Sequence, residues 1–136
     1  MHYAREHGGP RNIKIWQSIT TDGGLTWEKE RIVAEIEGAV PAEPGTIKSP
    51  DGRQIVALMR ENQRRCNSLY MLSNDEGKTW TVPRELTASL TGDRHMPRYG
   101  PDGRLVVSFR DTTHESPTKG DWVAWIGTYD DIIQGR

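Results

Sequence analysis

Residues 20–27 read TTDGGLTW and residues 73–80 read SNDEGKTW. Both obey one rule: Ser or Thr, any residue, Asp, any, Gly, any, Thr, Trp. Asp22 and Asp75 stand 53 residues apart. A second pair of stretches keeps nearly the same step. SPDGRQIVALMRE at 49–61 and GPDGRLVVSFRDT at 100–112 place Asp51 and Asp102 51 apart, and Arg60 and Arg110 50 apart. Two unrelated motifs returning with one period describe a chain built from copies of one supersecondary unit. Such units must bury their faces against their neighbours, because none can build a core alone.

One period lays out as four antiparallel strands. EPGTIKS is extended and begins the unit. PDG supplies Pro for the corner and Gly for positive φ, as a tight hairpin turn needs. RQIVALMR is apolar almost without interruption, which suits a strand covered on both faces. ENQRRCN is a polar loop, SLYMLSN a third strand, DEGKT a turn and WTVPREL a fourth strand, whose Pro83 fits an outer edge. No long window repeats at helical spacing, and the 14 Gly and 8 Pro break every candidate helix. The reading is all-β, and a four-stranded antiparallel unit of this length is one blade of a β-propeller. About two and a half blades fit in residues 1–136 as one domain. Residues 13–36 form the end of one blade, 40–88 a complete blade and 92–136 the start of a third, with DWVAWIGTYDD as its third strand. Trp122 and Trp125 are expected to share one face of that strand and to pack between blades.

The eight-residue motif is read as architecture. An Asp at the head of a tight turn accepts bonds from backbone N–H groups ahead of it. Gly24 and Gly77 suit a positive φ. Trp27 and Trp80 supply large apolar area to wedge between blade edges. Asp22 and Asp75 are therefore structural residues.

Composition excludes several functions. The net charge of -1 favours neither nucleic acid nor an anionic membrane as partner. A mean hydropathy of -0.74 and apolar runs that stay short, such as VAL and LVV, leave no membrane span. MHYAREHGGPRN has no apolar stretch of the kind a signal peptide needs, and the compartment stays open. Cys66 is the single cysteine, so neither an internal disulfide nor a cysteine-based zinc site can form. His2, His7 and His114 show no ligand spacing, and no metal or other cofactor is expected.

The motif at 20–27 and 73–80 is similar to the Asp-box, or BNR repeat, of the sialidase superfamily. Over residues 13 to 130 the chain resembles a segment of a six-bladed β-propeller. That fold serves sialidases, related glycosidases and noncatalytic proteins alike. Strand topology puts the start of strand one, the end of strand two and the start of strand three at one end of a blade. The PDG turns and Asp-boxes lie at the other. The first end gathers Glu43, Arg60 and the 61–67 loop with Arg94, His95, Arg98, Arg110, Asp111 and the 112–121 loop. Sialidases hold a sugar carboxylate with three arginines, use a glutamate to activate a tyrosine nucleophile, and use an aspartate as acid/base. The resemblance of EPGTIKSPDGRQIVALMREN to the blade carrying the glutamate and the second arginine implies that Glu43 is that glutamate and Arg60 that arginine. Gly120, Asp121 and Trp122 stand where the third arginine is expected, and Tyr99 and Tyr129 do not match the tyrosine. TGDRHMPR and SFRDTTH resemble a divergent branch, in which His95 and Arg110 are expected to contact a different sugar, with Arg94 and Arg98 as further candidate substrate-binding residues.

The expected function is that of a sialidase-like glycoside hydrolase, or part of one, acting on terminal sugars of glycans. The competing readings are a noncatalytic segment that binds glycan or protein, and an inactive truncated product. Bare blade faces and strand edges invite association, and a second copy is one route to covering them.

Overall fold

A computed structural model describes residues 2–5 and 13–136. Three antiparallel sheets follow one another along the chain. The first joins β1 (His2–Arg5), β2 (Ile13–Gln17) and β3 (Arg31–Ala34) in chain order, so it reaches upstream of residue 13. The second joins β4 (Pro41–Lys48), β5 (Ile55–Glu61), β6 (Leu69–Ser73) and the two-residue β7 (Arg84–Glu85). The third joins β8 (Gly92–Tyr99), β9 (Leu105–Asp111) and β10 (Trp122–Gly127). These are propeller blades, one complete and two partial.

The apolar run of β5 is explained by its two neighbours. Ala57 and Met59 join Ile15 and Ala34 of the first sheet in one buried cluster, with Leu69 and Met71. Val56 and Leu58 point the other way and join Leu105, Val107 and Phe109 of the third sheet. A strand sandwiched between blades has no solvent face, so period-two alternation disappears. The hairpin turns at the PDG sequences form as expected. Gly52 and Gly103 have φ of 74° and 79° and donate to Ser49 O and Gly100 O at 2.8 and 3.0 Å.

The innermost strands β4 and β8 are copies in detail. Each has eight residues, and each carries a bulge, at Glu43–Pro44 between Ala42 and Gly45 and at Arg94–His95 between Asp93 and Met96. Glu43 (φ 52°) and Arg94 (φ 57°) both adopt left-handed backbone. They stand 51 residues apart and are structural equivalents. The two strands pack closely: a Cβ on Gly45 would lie 2.0 Å from His95 O.

The third blade departs from the sequence expectation. Its strand ends at Gly127 rather than running through TYDD, and α1 (Tyr129–Gln134) follows. The cause is local. Thr128 Oγ1 accepts from Asp131 N at 3.2 Å while Asp131 Oδ2 accepts from Thr128 N at 2.8 Å, a reciprocal cap. Gly135, at φ 70°, closes the other end. Ile132 and Tyr129 bury against the second and third blades, and Tyr129 Oη donates to Gln54 Oε1 at 2.9 Å. Trp122 and Trp125 are three residues apart and face opposite sides of β10, correcting the expectation of a shared face. Trp125 packs on the core, whereas Trp122 is 56 % exposed.

Candidate functional site at the blade mouth

The two eight-residue motifs sit at the PDG end and build the same turn twice. Asp75 accepts from Thr79 Oγ1 (2.6 Å), Thr79 N (2.8 Å) and Ser73 Oγ (2.8 Å). Asp22 accepts from Thr26 Oγ1 (2.6 Å), Thr26 N (3.0 Å) and Thr20 Oγ1 (2.8 Å). Each indole donates to the turn glycine's carbonyl, Trp27 to Gly24 and Trp80 to Gly77. The Thr79 hydroxyl and amide hold the Asp75 carboxyl at about 2, and the Thr26 hydroxyl and amide hold Asp22 lower still. Every carboxylate oxygen is spent on the turn.

The opposite end carries the chemistry. The β4 bulge turns Glu43 toward the end of β5, where Arg60 Nη1 donates to its Oε2 at 3.2 Å. Arg60 is then almost fully engaged. Nη1 also lies 3.6 Å from Asp93 Oδ1, Nη2 donates to Asn62 Oδ1, and Nε is buried without a partner. Asp93 is the centre of the cluster. Arg64, from the loop after β5, grips it through two bonds of 2.8 Å and donates to Thr112 Oγ1 at 2.9 Å. Burial alone would raise the Asp93 carboxyl. The Arg64 bonds, with the charges of Arg64, Arg60 and Arg110, outweigh it and hold the group below its usual value.

Three of the four non-glycine residues with positive φ among the described residues are Glu43, Arg64 and Arg94, all in this cluster. Such backbone is disfavoured and persists only where the surroundings over-determine it. Glu61 supplies some of that determination. Its carboxylate accepts from the amides of Val40 (2.9 Å), Gln63 (3.1 Å) and Arg65 (2.7 Å), which fixes the loop carrying Arg64.

The structure brings Glu43, Arg60, Arg94 and Arg110 to one end. Arg94 Nε lies 3.9 Å from Glu43 Oε1, with the side chain 72 % exposed. Arg110 stands opposite Asp93 in the β8–β9 register and is exposed. Arg98 lies further along β8, exposed, donating to its neighbour's carbonyl, Pro97 O, at 2.9 Å. His95 is not at the surface. It is 2 % exposed, stacked on Phe109, and bonded through Nε2 to Leu90 O at 2.8 Å, so it is placed as a core residue rather than as a sugar contact. Burial lowers its pKa, opposed by the Leu90 bond. Asp111 is likewise spent inside its own loop, on Thr113 N and Thr118 Oγ1, both at 2.8 Å. Sequence reasoning overlooked Asp93 and Arg64. The internal repeat held a signal for the first, since Asp93 immediately precedes the counterpart of Glu43.

Sheets of this connectivity, carrying the Ser/Thr-x-Asp-x-Gly-x-Thr-Trp turn between their last two strands, define an Asp-box propeller protein. The BNR repeat-like domain family matches residues 2–134, and the chain belongs to it. No curated protein matches the chain. The fold is similar to a crystal structure of a protein of unknown function from Dyadobacter fermentans DSM 18053, with 25 % identity and a TM-score of 0.75. That likeness covers 94 % of this chain and 33 % of the other, so the chain spans about one third of that protein.

Proposed function

We propose that this chain contributes the Glu43–Arg60 end of a sialidase-like glycoside hydrolase site that takes a terminal sugar of a glycan. The observation that carries the reading is the bulged Glu43. A carboxylate on left-handed backbone, held 3.2 Å from a guanidinium at the blade end, is fixed before any ligand arrives. Preorganised acceptors and donors of this kind suit a polyhydroxylated ligand, whose affinity depends on directional hydrogen bonds. Membership in the Asp-box family supports the reading by analogy.

A noncatalytic binding role for the chain acting by itself has one observation in its favour. Tyr99 Oη donates to Lys48 O at 2.8 Å, and Tyr129 Oη donates to Gln54, so both phenols are committed away from Glu43. We expect no hydrolysis of a fluorogenic sialoside by the 136-residue chain. Turnover that disappears in Glu43→Ala would overturn that expectation and make the chain an enzyme in its own right. The binding part is tested by amide chemical shifts during titration with a panel of oligosaccharides. Shifts centred on residues 43, 60 and 94 are expected. A panel that moves no signal at this end sinks the carbohydrate reading.

A further inference from the structure

The row of three sheets makes one kind of interface twice, and the two halves of a third such interface are left open at its ends. The second blade has both faces covered. Leu69 and Met71 join Ile15 of the first sheet, and Leu58 and Tyr70 join Val107 and Phe109 of the third. The cross-strand pairs Leu58–Tyr70 and Val56–Leu72 of the second blade have Ser108–Ala124 and Val106–Ile126 as their counterparts in the third sheet. Nothing in the chain covers that second set. Ile126 is more than half exposed, and so are Trp122 and Met96 on the same face. At the other end of the row, Trp16 stands six residues before Asp22, as Leu69 stands six before Asp75. Trp16 is therefore the counterpart of Leu69, a residue that covers the preceding blade. Its cross-strand partner is the exposed Ile32, whereas Leu69 is paired with the exposed Glu85.

We propose that the Trp122–Ile126 face of the third sheet docks on the Trp16–Ile32 face of the first sheet of a second copy, head to tail, and that the reciprocal contact closes a pair. The inference does not depend on the carbohydrate reading. The repeat supplies the occupant. A third-sheet face of this type is covered elsewhere in the molecule by the preceding-blade face of the next sheet, and the chain itself carries one such face uncovered. Shape agrees with this assignment. Where the second blade sets Gly45, Leu58 and Tyr70 in one row across its strands, the third sets Met96, Ser108 and Ala124. Bulk has moved from the middle of the face to its inner strand, leaving a low centre between Trp122 and Ile126. The close backbone approach that Gly45 permits is unavailable at Met96, so the occupant must bring bulk to the centre instead. Trp16, in place of Leu69, does so. Composition agrees as well. The second blade shows that the position of Ile32 accepts an exposed glutamate, so the isoleucine is not a requirement of the blade. Aromatic and aliphatic side chains gathered on a face without charge at its centre are what interfaces between proteins select. A head-to-tail contact either closes or grows into a filament, and two copies are the smallest number that covers every open face.

The test is light scattering on gel-filtered samples of the full 136-residue chain over a dilution series. A mass of twice the 15.4 kDa of one chain is expected, falling toward one chain on dilution. Ile126→Glu disables the third-sheet face, and Ile32→Glu disables the first-sheet face by installing the residue that the second blade tolerates. Each variant alone is expected to be a folded single chain by circular dichroism and mass. An equal mixture of the two should regain pairs, because one intact face of each kind survives, while the two glutamates face each other across the second contact. The parent provides a check that needs no variant at the interface. Indole N–H signals of Trp16 and Trp122, assigned by Trp→Phe replacements, should both shift on concentrating the chain, and that of Trp80 should not. A parent that stays a single chain at every concentration overturns the proposal. Pairs that survive Ile32→Glu, with Trp122 alone responding, would mean that two third-sheet faces meet each other, and would overturn it too. Mass that keeps rising beyond two chains would overturn the closed pair.

Discussion

Gln17 Oε1 accepts the indole N–H of Trp80 at 3.1 Å, across 63 residues of chain. The same oxygen accepts from Arg31 Nη2 at 3.0 Å, and Arg31 reaches on to Gly77 O at 2.7 Å. The Asp-box of the second blade is thus stitched to the first blade, and the Trp80 ring packs on the cluster the two blades share. Trp27 holds the same place in its own motif, yet is 60 % exposed. Trp80→Ala is expected to cost about 3 kcal/mol of stability, the lower end of the range for large aromatic truncations. Trp27→Ala should cost less than about 1 kcal/mol. Denaturant melts of the two variants decide it, and equal losses would show that the motif's tryptophan acts within its own turn alone.

Asp75 gives a prediction about acid. Its carboxyl is held at about 2, chiefly by the Thr79 hydroxyl and amide, against an ordinary value of 3.8. The folded state therefore binds the proton less readily than the unfolded chain. Its contribution is complete above about 3.8 and disappears as pH falls toward 2. Asp75→Ala should lower the melting temperature at pH 6, and the gap between variant and parent should close by pH 2. Ligand binding at the mouth should be unchanged once the variant is folded. Lost binding with unchanged melting would place function at the Asp-box end.

His95 acts at milder pH. The buried ring is held neutral, with its pKa below 6.5, because charging it would strand a cation among apolar groups. Below pH 6.5 the unfolded chain gains a proton that the folded chain refuses, so stability falls as pH falls, until the folded pKa is reached. One group limits the slope to about 1.4 kcal/mol per pH unit. His95→Gln should flatten the profile of stability between pH 6.5 and the acid limb, at the cost of some stability at pH 7. A profile with the same slope in parent and variant would remove His95 as its source.

Gly45 is where the inner strands come closest. A methyl group there meets His95 O at 2.0 Å, and that atom belongs to backbone rather than to a movable side chain. Gly45→Ala is expected to destabilise by about 1–3 kcal/mol through forced separation of β4 and β8. Gly52→Ala is a useful contrast: it meets nothing within 4 Å, and its cost comes only from its φ of 74°. Amide exchange along β8 should speed up in Gly45→Ala and stay slow in Gly52→Ala. The opposite pattern would contradict the close approach.

The repeat in the sequence determined the blades. A period near fifty, turn residues at fixed offsets and the apolar run of β5 are local or periodic signals. They led to antiparallel blades in the right order, to Asp-boxes that hold their own turns, and to Glu43 facing Arg60 across adjacent strands. The capped helix at 129–134 was also legible in Thr128, Asp131 and Gly135, although read there as the continuation of a strand. Tertiary structure alone decided the charge pattern of the mouth. Asp93 meets Arg64 across 29 residues and two blades, and this depends on a bulge in β8 and on a loop pinned by Glu61. That same bulge sends His95 inward and leaves Arg94 outside. One residue of bulge exchanges inside for outside along a strand, and no pattern of residue types marks where a backbone will take that step. Which arginine is spent and which is free is therefore set by the packing of neighbouring blades.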